Sequence, residues 1–143
     1  MNLKKFLSAA LFYLTAIIVR YYTQTPSISS PFWNIIIQGL GPTIGVMIVM
    51  IILGVKFSPM TLIGNSKQPL FPILIYWGFP IILISISTFL TQGIFNISTI
   101  FACFIYGLLE EIGWRDFLQQ QLKGLPNYLS IIIVGVLWFI WHL

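Results

Sequence analysis

Five apolar runs divide this chain: Phe6–Tyr22, Ile35–Val55, Leu70–Thr91, Ile97–Leu122 and Tyr128–Leu143. A helix that crosses a bilayer needs ~20 predominantly apolar residues, with ~17 as a lower limit, and the first four runs qualify. Hydrophobic residues make up 58% of the 143 and charged residues 7%, where a soluble domain carries roughly a quarter charged residues. Such a chain cannot cover a water-facing surface. The predicted fold is all-α, an integral membrane bundle of about five transmembrane helices, with no internal repeat and no soluble domain.

The breaks between runs hold turn chemistry: Thr25-Pro26 to Pro31, Ser58-Pro59 to Pro72, Gln92-Gly93, and Lys123-Gly124-Leu125-Pro126. Pro42 and Pro80 fall within spans and are expected to kink them, which membrane helices tolerate. Lys4-Lys5 followed by Phe6 to Val19 is similar to a signal peptide. No small-x-small cleavage site follows, because the run ends in Arg20-Tyr21-Tyr22, and it reads as an uncleaved first span.

The net charge of +4 does not suggest nucleic acid, since the seven cations form no basic stripe. They read as topology signals. Lys4, Lys5, Lys56, Lys67 and Lys123 all fall on one side if the spans alternate, and the opposite loops, 23–34 and 92–96, carry no charge. The asymmetry places the amino terminus and the lysine loops in the cytoplasm. Arg20 departs from it and is expected to snorkel to the interface. Cys103 is the only cysteine, so no internal disulfide is possible, and it reads as a small buried hydrophobe.

The last run has no polar flank, cap or stop signal. As a helix it rises ~24 Å against a ~30 Å hydrocarbon core, and a terminal carboxylate there would sit in the apolar layer. The expectation is a chain cut within a helix.

The three acidic residues, Glu110, Glu111 and Asp116, cluster inside the fourth run together with Arg115. A charge at mid-membrane costs ~2.5–3.5 kcal/mol even on lenient scales, so adjacent glutamates there point to function. Glu111 and Arg115 are spaced for an i,i+4 ion pair, which does not account for Glu110, about 100° away around the helix. Asp116 is nearer the polar run Gln119-Gln120-Gln121 and is expected to reach headgroups or water. Gly107 and Gly113 flank Glu110, and Gly135 shares a face with His142; each is a place for another helix to approach closely. His142 is the only histidine. In a hairpin turning at 123–126, Glu110 lies ~18 Å from the turn and His142 ~22 Å, within about one helical turn of the same depth. Facing each other out of bulk water, the carboxylate can take a proton from water while the imidazole orients that water or shuttles the proton. The same pair could ligate a divalent metal such as zinc. Two protein ligands are few and no HExxH spacing is present, so metal-free chemistry with no cofactor is the expectation.

At these residues the sequence resembles the CPBP intramembrane endopeptidases, which include the type II CAAX prenyl endopeptidases and bacteriocin-processing or self-immunity proteins. The family's EExxxR motif is matched by Glu110-Glu111-Ile112-Gly113-Trp114-Arg115. Its second motif, an aromatic residue four before a histidine, is matched by Trp138-Phe139-Ile140-Trp141-His142, with Trp where Phe is usual. The fuller string EEIGWRxF is similar to one bacterial branch. The resemblance covers roughly 104–143 and divides the chain into three N-terminal helices over 1–95 and a partial core over 96–143. It implies that Glu110 activates water, His142 assists, Glu111 and Arg115 orient the site, and Trp138 supports it. It implies a peptide or protein substrate, prenylated or a bacteriocin precursor, and a bacterial plasma membrane. Asp116 stands where the family usually has glycine. A third family motif, with His or Asn on a later helix, has no counterpart before Leu143. No remaining span offers a comparable cluster, although Asn34, Gln38 and Asn96 are polar groups at or near membrane depth.

Two other readings compete. A non-catalytic interaction or bacteriocin self-immunity protein would tolerate Glu110→Gln and His142→Ala in a protection assay. A transporter subunit would need polar faces on several spans, and Asn34, Gln38, Thr43, Ser85, Ser87 and Thr88 are too sparse for that. Of the tryptophans at 33, 77, 114, 138 and 141, some are expected in interface belts, while Trp138 and Trp141 are placed to wall the site.

Overall fold

A computed structural model of the chain describes residues 2–25, 28–57, 70–93 and 96–143. Pro26, Pro59 and Lys67, and the side chains of Pro72 and Trp77, lie outside the described residues. Every regular element described is helical: α1 (Leu3–Thr23), α2 (Pro31–Gln38), α3 (Leu40–Leu53), α4 (Leu70–Gln92), α5 (Ile97–Gln121) and α6 (Asn127–His142). The helices occupy the five predicted runs. By length and composition α1 and α5 can each cross a membrane, and α2 with α3 can do so as one bent span.

Local chemistry sets the helix ends. Asn2 caps α1 by accepting from the Lys5 amide at 3.0 Å, and Asn96 caps α5 by accepting from Thr99 at 3.1 Å. These caps satisfy amides that have no partner within the helix. Pro31 opens α2, where a missing N–H costs nothing. Gly54 closes α3 at φ 56°, a left-handed conformation that suits a residue without Cβ.

The expected kink in the second span is a 44° bend between α2 and α3, with Gly39 at the joint. Pro42 sits in the first turn of α3. It has no N–H to continue the α2 ladder, so the break falls just ahead of it. In α4 the helix continues through Pro80.

α3 lies along α1 through glycine contacts. A Cβ at Gly41 would come within 2.9 Å of the Ala16 carbonyl, and one at Gly45 within 2.9 Å of the Phe12 carbonyl. Two small residues four apart let the backbones meet, as membrane helices require where lipid supplies no hydrophobic drive. Their order makes the two helices antiparallel. The end of α3, just before Lys56, therefore lies beside the start of α1. Lys5 Nζ in turn donates to the Lys123 carbonyl at 3.0 Å. Lys4, Lys5, Lys56 and Lys123 thus gather at one end of the bundle, as the alternating-span reading requires.

The buried core joins Phe12 and Ala16 of α1, Val46 and Val49 of α3, Trp114, Phe117 and Leu118 of α5, and Trp141 of α6. Phe12 meets the Trp114 ring edge-on at 5.3 Å, and Trp114 meets Trp141 at 5.8 Å. Trp114 and Trp141 are core residues, not belt residues, whereas Trp33 is exposed. Large apolar side chains such as Leu14, Ile18, Ile51, Ile131 and Phe139 point outward, the surface expected of a bundle whose solvent is lipid. Cys103 is only partly buried.

Candidate functional site

The site forms where α5 departs from regular helix. Ile97–Glu111 is α-helical, Ile112–Leu118 is a π segment, and Gln119–Gln121 returns to α. Single π turns recur at functional sites because they re-aim side chains. Here the segment begins directly after Glu110-Glu111. The Leu109 carbonyl at the junction accepts from Thr43 Oγ1 of α3 at 2.8 Å, a side-chain hydroxyl serving a disturbed membrane helix. At Gly113 the helix presses on its neighbours: an added methyl would overlap Pro42 and lie 3.0 Å from the Phe12 ring.

Glu110 is buried, with 8% of its surface exposed. Its Oε2 accepts a hydrogen bond from Trp138 Nε1 at 3.1 Å. Its Oε1 faces His142 Nε2 at 3.4 Å. The hairpin arithmetic places Glu110 and His142 within about one turn of the same depth, and the structure brings them face to face. His142 Nδ1 lies 3.0 Å from the Trp138 carbonyl. A carbonyl only accepts, so Nδ1 carries a proton and donates. Nε2 of a neutral ring is then an acceptor pointing at a carboxylate. The Trp138 and His142 rings stack at 4.1 Å, so Trp138 holds both members of the pair.

Glu111 turns away from Glu110 and pairs with Arg115, Nε to Oε2 at 3.0 Å. The predicted i,i+4 pair is therefore present. Arg115 is well exposed, and an exposed pair of this kind is worth at most ~1 kcal/mol. A cavity of about 560 Å³ opens between α5 and α6, with Glu110, Glu111, Arg115, Gln119, Gly135 and Trp138 in its lining.

Several expectations change. Asp116, predicted to reach headgroups or water, is 1% exposed. Hydrogen bonding from i to i+5 widens the turn and slows its rotation, carrying Asp116 inward beside Phe117 and Leu118. Among the described residues Gly107 and Gly135 meet nothing within 4 Å of a would-be Cβ, and of the three predicted close approaches only that at Gly113 is found there. Gly135 leaves room for the cavity instead. Asn96 is engaged as a cap, and Asn34 Nδ2 donates to the Ile28 carbonyl at 2.8 Å; both serve the backbone.

Two residues escaped the sequence reading. Tyr106 stands one turn before Glu110 and its phenol interacts with that carboxylate. The i,i+4 spacing was the available signal. Arg20, expected to snorkel, instead lies over the Trp141 ring with its Cζ 4.9 Å from the centroid.

Residues 92–143 match the family model described as Rce1-like, the type II CAAX prenyl endopeptidases. Over those residues the chain is Rce1-like. No curated protein and no solved structure matches the chain. The Rce1-like segment comprises α5, its π segment, the turn at Gly124 and α6, and so contains Glu110, Glu111, Arg115, Trp138 and His142. Over that segment the chain is similar to a family of membrane endopeptidases. A catalytic zinc site needs three protein ligands. Among the described residues no three His, Cys, Asp or Glu side chains gather at one point, so the Glu110–His142 pair does not by itself fit that metal.

Proposed function

We propose that this chain carries the water-activating residues of an intramembrane endopeptidase that acts on peptide substrates with a prenylated CAAX terminus. The observation that carries the reading is the 3.4 Å approach of His142 Nε2 to Glu110 Oε1 inside an Rce1-like segment. A water between Glu110 and the scissile carbonyl gives its proton to the carboxylate. Its oxygen bonds to the carbonyl carbon. The C–N bond then breaks, and the proton passes from Glu110 to the leaving nitrogen. His142 orients the water through Nε2, the acceptor side of a ring whose Nδ1–H is tied to the Trp138 carbonyl. Trp138 holds the other carboxylate oxygen, so Oε1 is the basic atom. The Glu111–Arg115 pair removes a second carboxylate from competition at the site. The lysine-bearing end of the bundle faces the cytoplasm in this reading.

The test is cleavage of a farnesylated CAAX reporter in membranes by the chain and by its Glu110→Gln variant, with membrane insertion measured in parallel. Loss of cleavage with insertion unchanged is the expected result. Cleavage retained by Glu110→Gln would overturn the role of Glu110.

A further inference from the structure

Arg20 is the cation that topology does not explain. It sits near the end of α1 remote from the lysines, in a loop-side position where the charge asymmetry calls for none. Its guanidinium lies over the Trp141 ring, which is itself anchored by Trp141 Nε1 donating to the Ala16 carbonyl at 3.0 Å. Two of its donors, Nε and Nη1, are buried and make no hydrogen bond among the described residues. Guanidinium donors left unsatisfied at such depth are costly. The nearest chemistry is the site: the Trp141 and His142 rings are in contact, centroids 4.7 Å apart, and the Arg20 charge is felt at the Tyr106 phenol. Glu110 and Glu111 are engaged by Trp138 with His142 and by Arg115.

We propose that Arg20 is an anion subsite that receives the free terminal carboxylate of the peptide bound at Glu110. The inference rests on the endopeptidase reading. A guanidinium held over an indole is preorganised for a carboxylate. An endopeptidase that removes a short terminal peptide must hold a chain whose last group is a carboxylate a few residues beyond the scissile bond. A cation about one side chain from the catalytic pair then measures that distance. Arg20 is a specificity residue in this account, not a group that touches the reacting bond.

The experiment uses the full 143-residue chain bearing Glu110→Gln in phosphatidylcholine nanodiscs. The probe is a dye-labelled peptide ending in S-farnesyl-Cys-Val-Ile-Met, as the free acid and as the terminal amide, with affinity read by fluorescence anisotropy. The free acid is expected to bind on the order of tenfold more tightly than the amide, the usual scale for a charge-assisted hydrogen bond. Adding Arg20→Gln should abolish that preference while leaving amide binding unchanged, and Arg20→Lys should restore part of it. Equal binding of acid and amide, or of neither, overturns the proposal. So does an equal loss of both on Arg20→Gln, which marks a packing role. So does Arg20-dependent binding that follows added phosphatidylglycerol in place of the peptide terminus, which marks a lipid site. A chain that shows the acid preference yet never cleaves, with Glu110 restored, leaves the subsite standing and removes the endopeptidase reading. A chain that cleaves acid and amide alike does the reverse.

Discussion

Trp138 donates from Nε1 to Glu110 Oε2 at 3.1 Å, and by doing so it decides which oxygen of the carboxylate is left for His142. The residue thus orients the Glu110–His142 pair. Trp138→Phe keeps an aromatic ring against His142 and deletes the donor together with part of the indole's volume. A hydrogen bond to a charged group is worth ~1.5–3 kcal/mol. The expected result is a fall of about tenfold or more in kcat with KM little changed, measured on the farnesylated reporter. An unchanged kcat would show that Glu110 needs no such orientation.

Gly113 and Gly107 flank Glu110 symmetrically in sequence and differ entirely in space. Gly113→Ala drives a methyl into Pro42 and Phe12, and overpacking of this kind costs ~1–3 kcal/mol. Gly107→Ala meets open space and should gain up to ~1 kcal/mol from helix propensity. Thermal unfolding in detergent should show Tm lowered for the first variant and equal or raised for the second. The opposite order would contradict the packing of α5 on α3.

Thr43→Val tests the bond that serves the π junction. The substitution keeps side-chain shape and removes the Oγ1 donor to the Leu109 carbonyl. Interhelical bonds of this type in membranes average ~0.6 kcal/mol and reach ~1.7. A small drop in Tm is expected, together with a larger drop in cleavage, because the junction positions Glu110. A drop in Tm alone would make Thr43 purely structural.

Lys5 meets the Lys123 carbonyl, so the two ends share one membrane face. In a Cys103→Ala background, Lys123→Cys should react with an impermeant maleimide only after cells are opened. Ile28→Cys, in the uncharged loop, should react from outside intact cells. Labelling of position 123 from outside would reverse the orientation.

How much of this was legible beforehand depends on the kind of question. The helices follow the apolar runs within a few residues, because span length and turn residues are properties of consecutive side chains. The meeting of Glu110 with His142 was legible as depth, since helical rise is regular and both residues are measured from one hairpin. The glycines show the limit. Gly107, Gly113 and Gly135 are equally eligible for close contact, and among the described residues only Gly113 has one, while Gly41 and Gly45 carry the α1–α3 interface unannounced.

Hydropathy and rise run along the chain, so the sequence by itself determined an all-helical membrane protein, the depth of its acidic cluster and the match of its EExxxR and histidine motifs to an Rce1-like segment. Rotation about each helix axis and the choice of neighbour were decided only in three dimensions. The π segment that buries Asp116, the indole that claims one oxygen of Glu110, and the α1 turn that lays Arg20 on Trp141 each depend on residues distant in sequence. Their positions are set by packing, which no single run of residues contains.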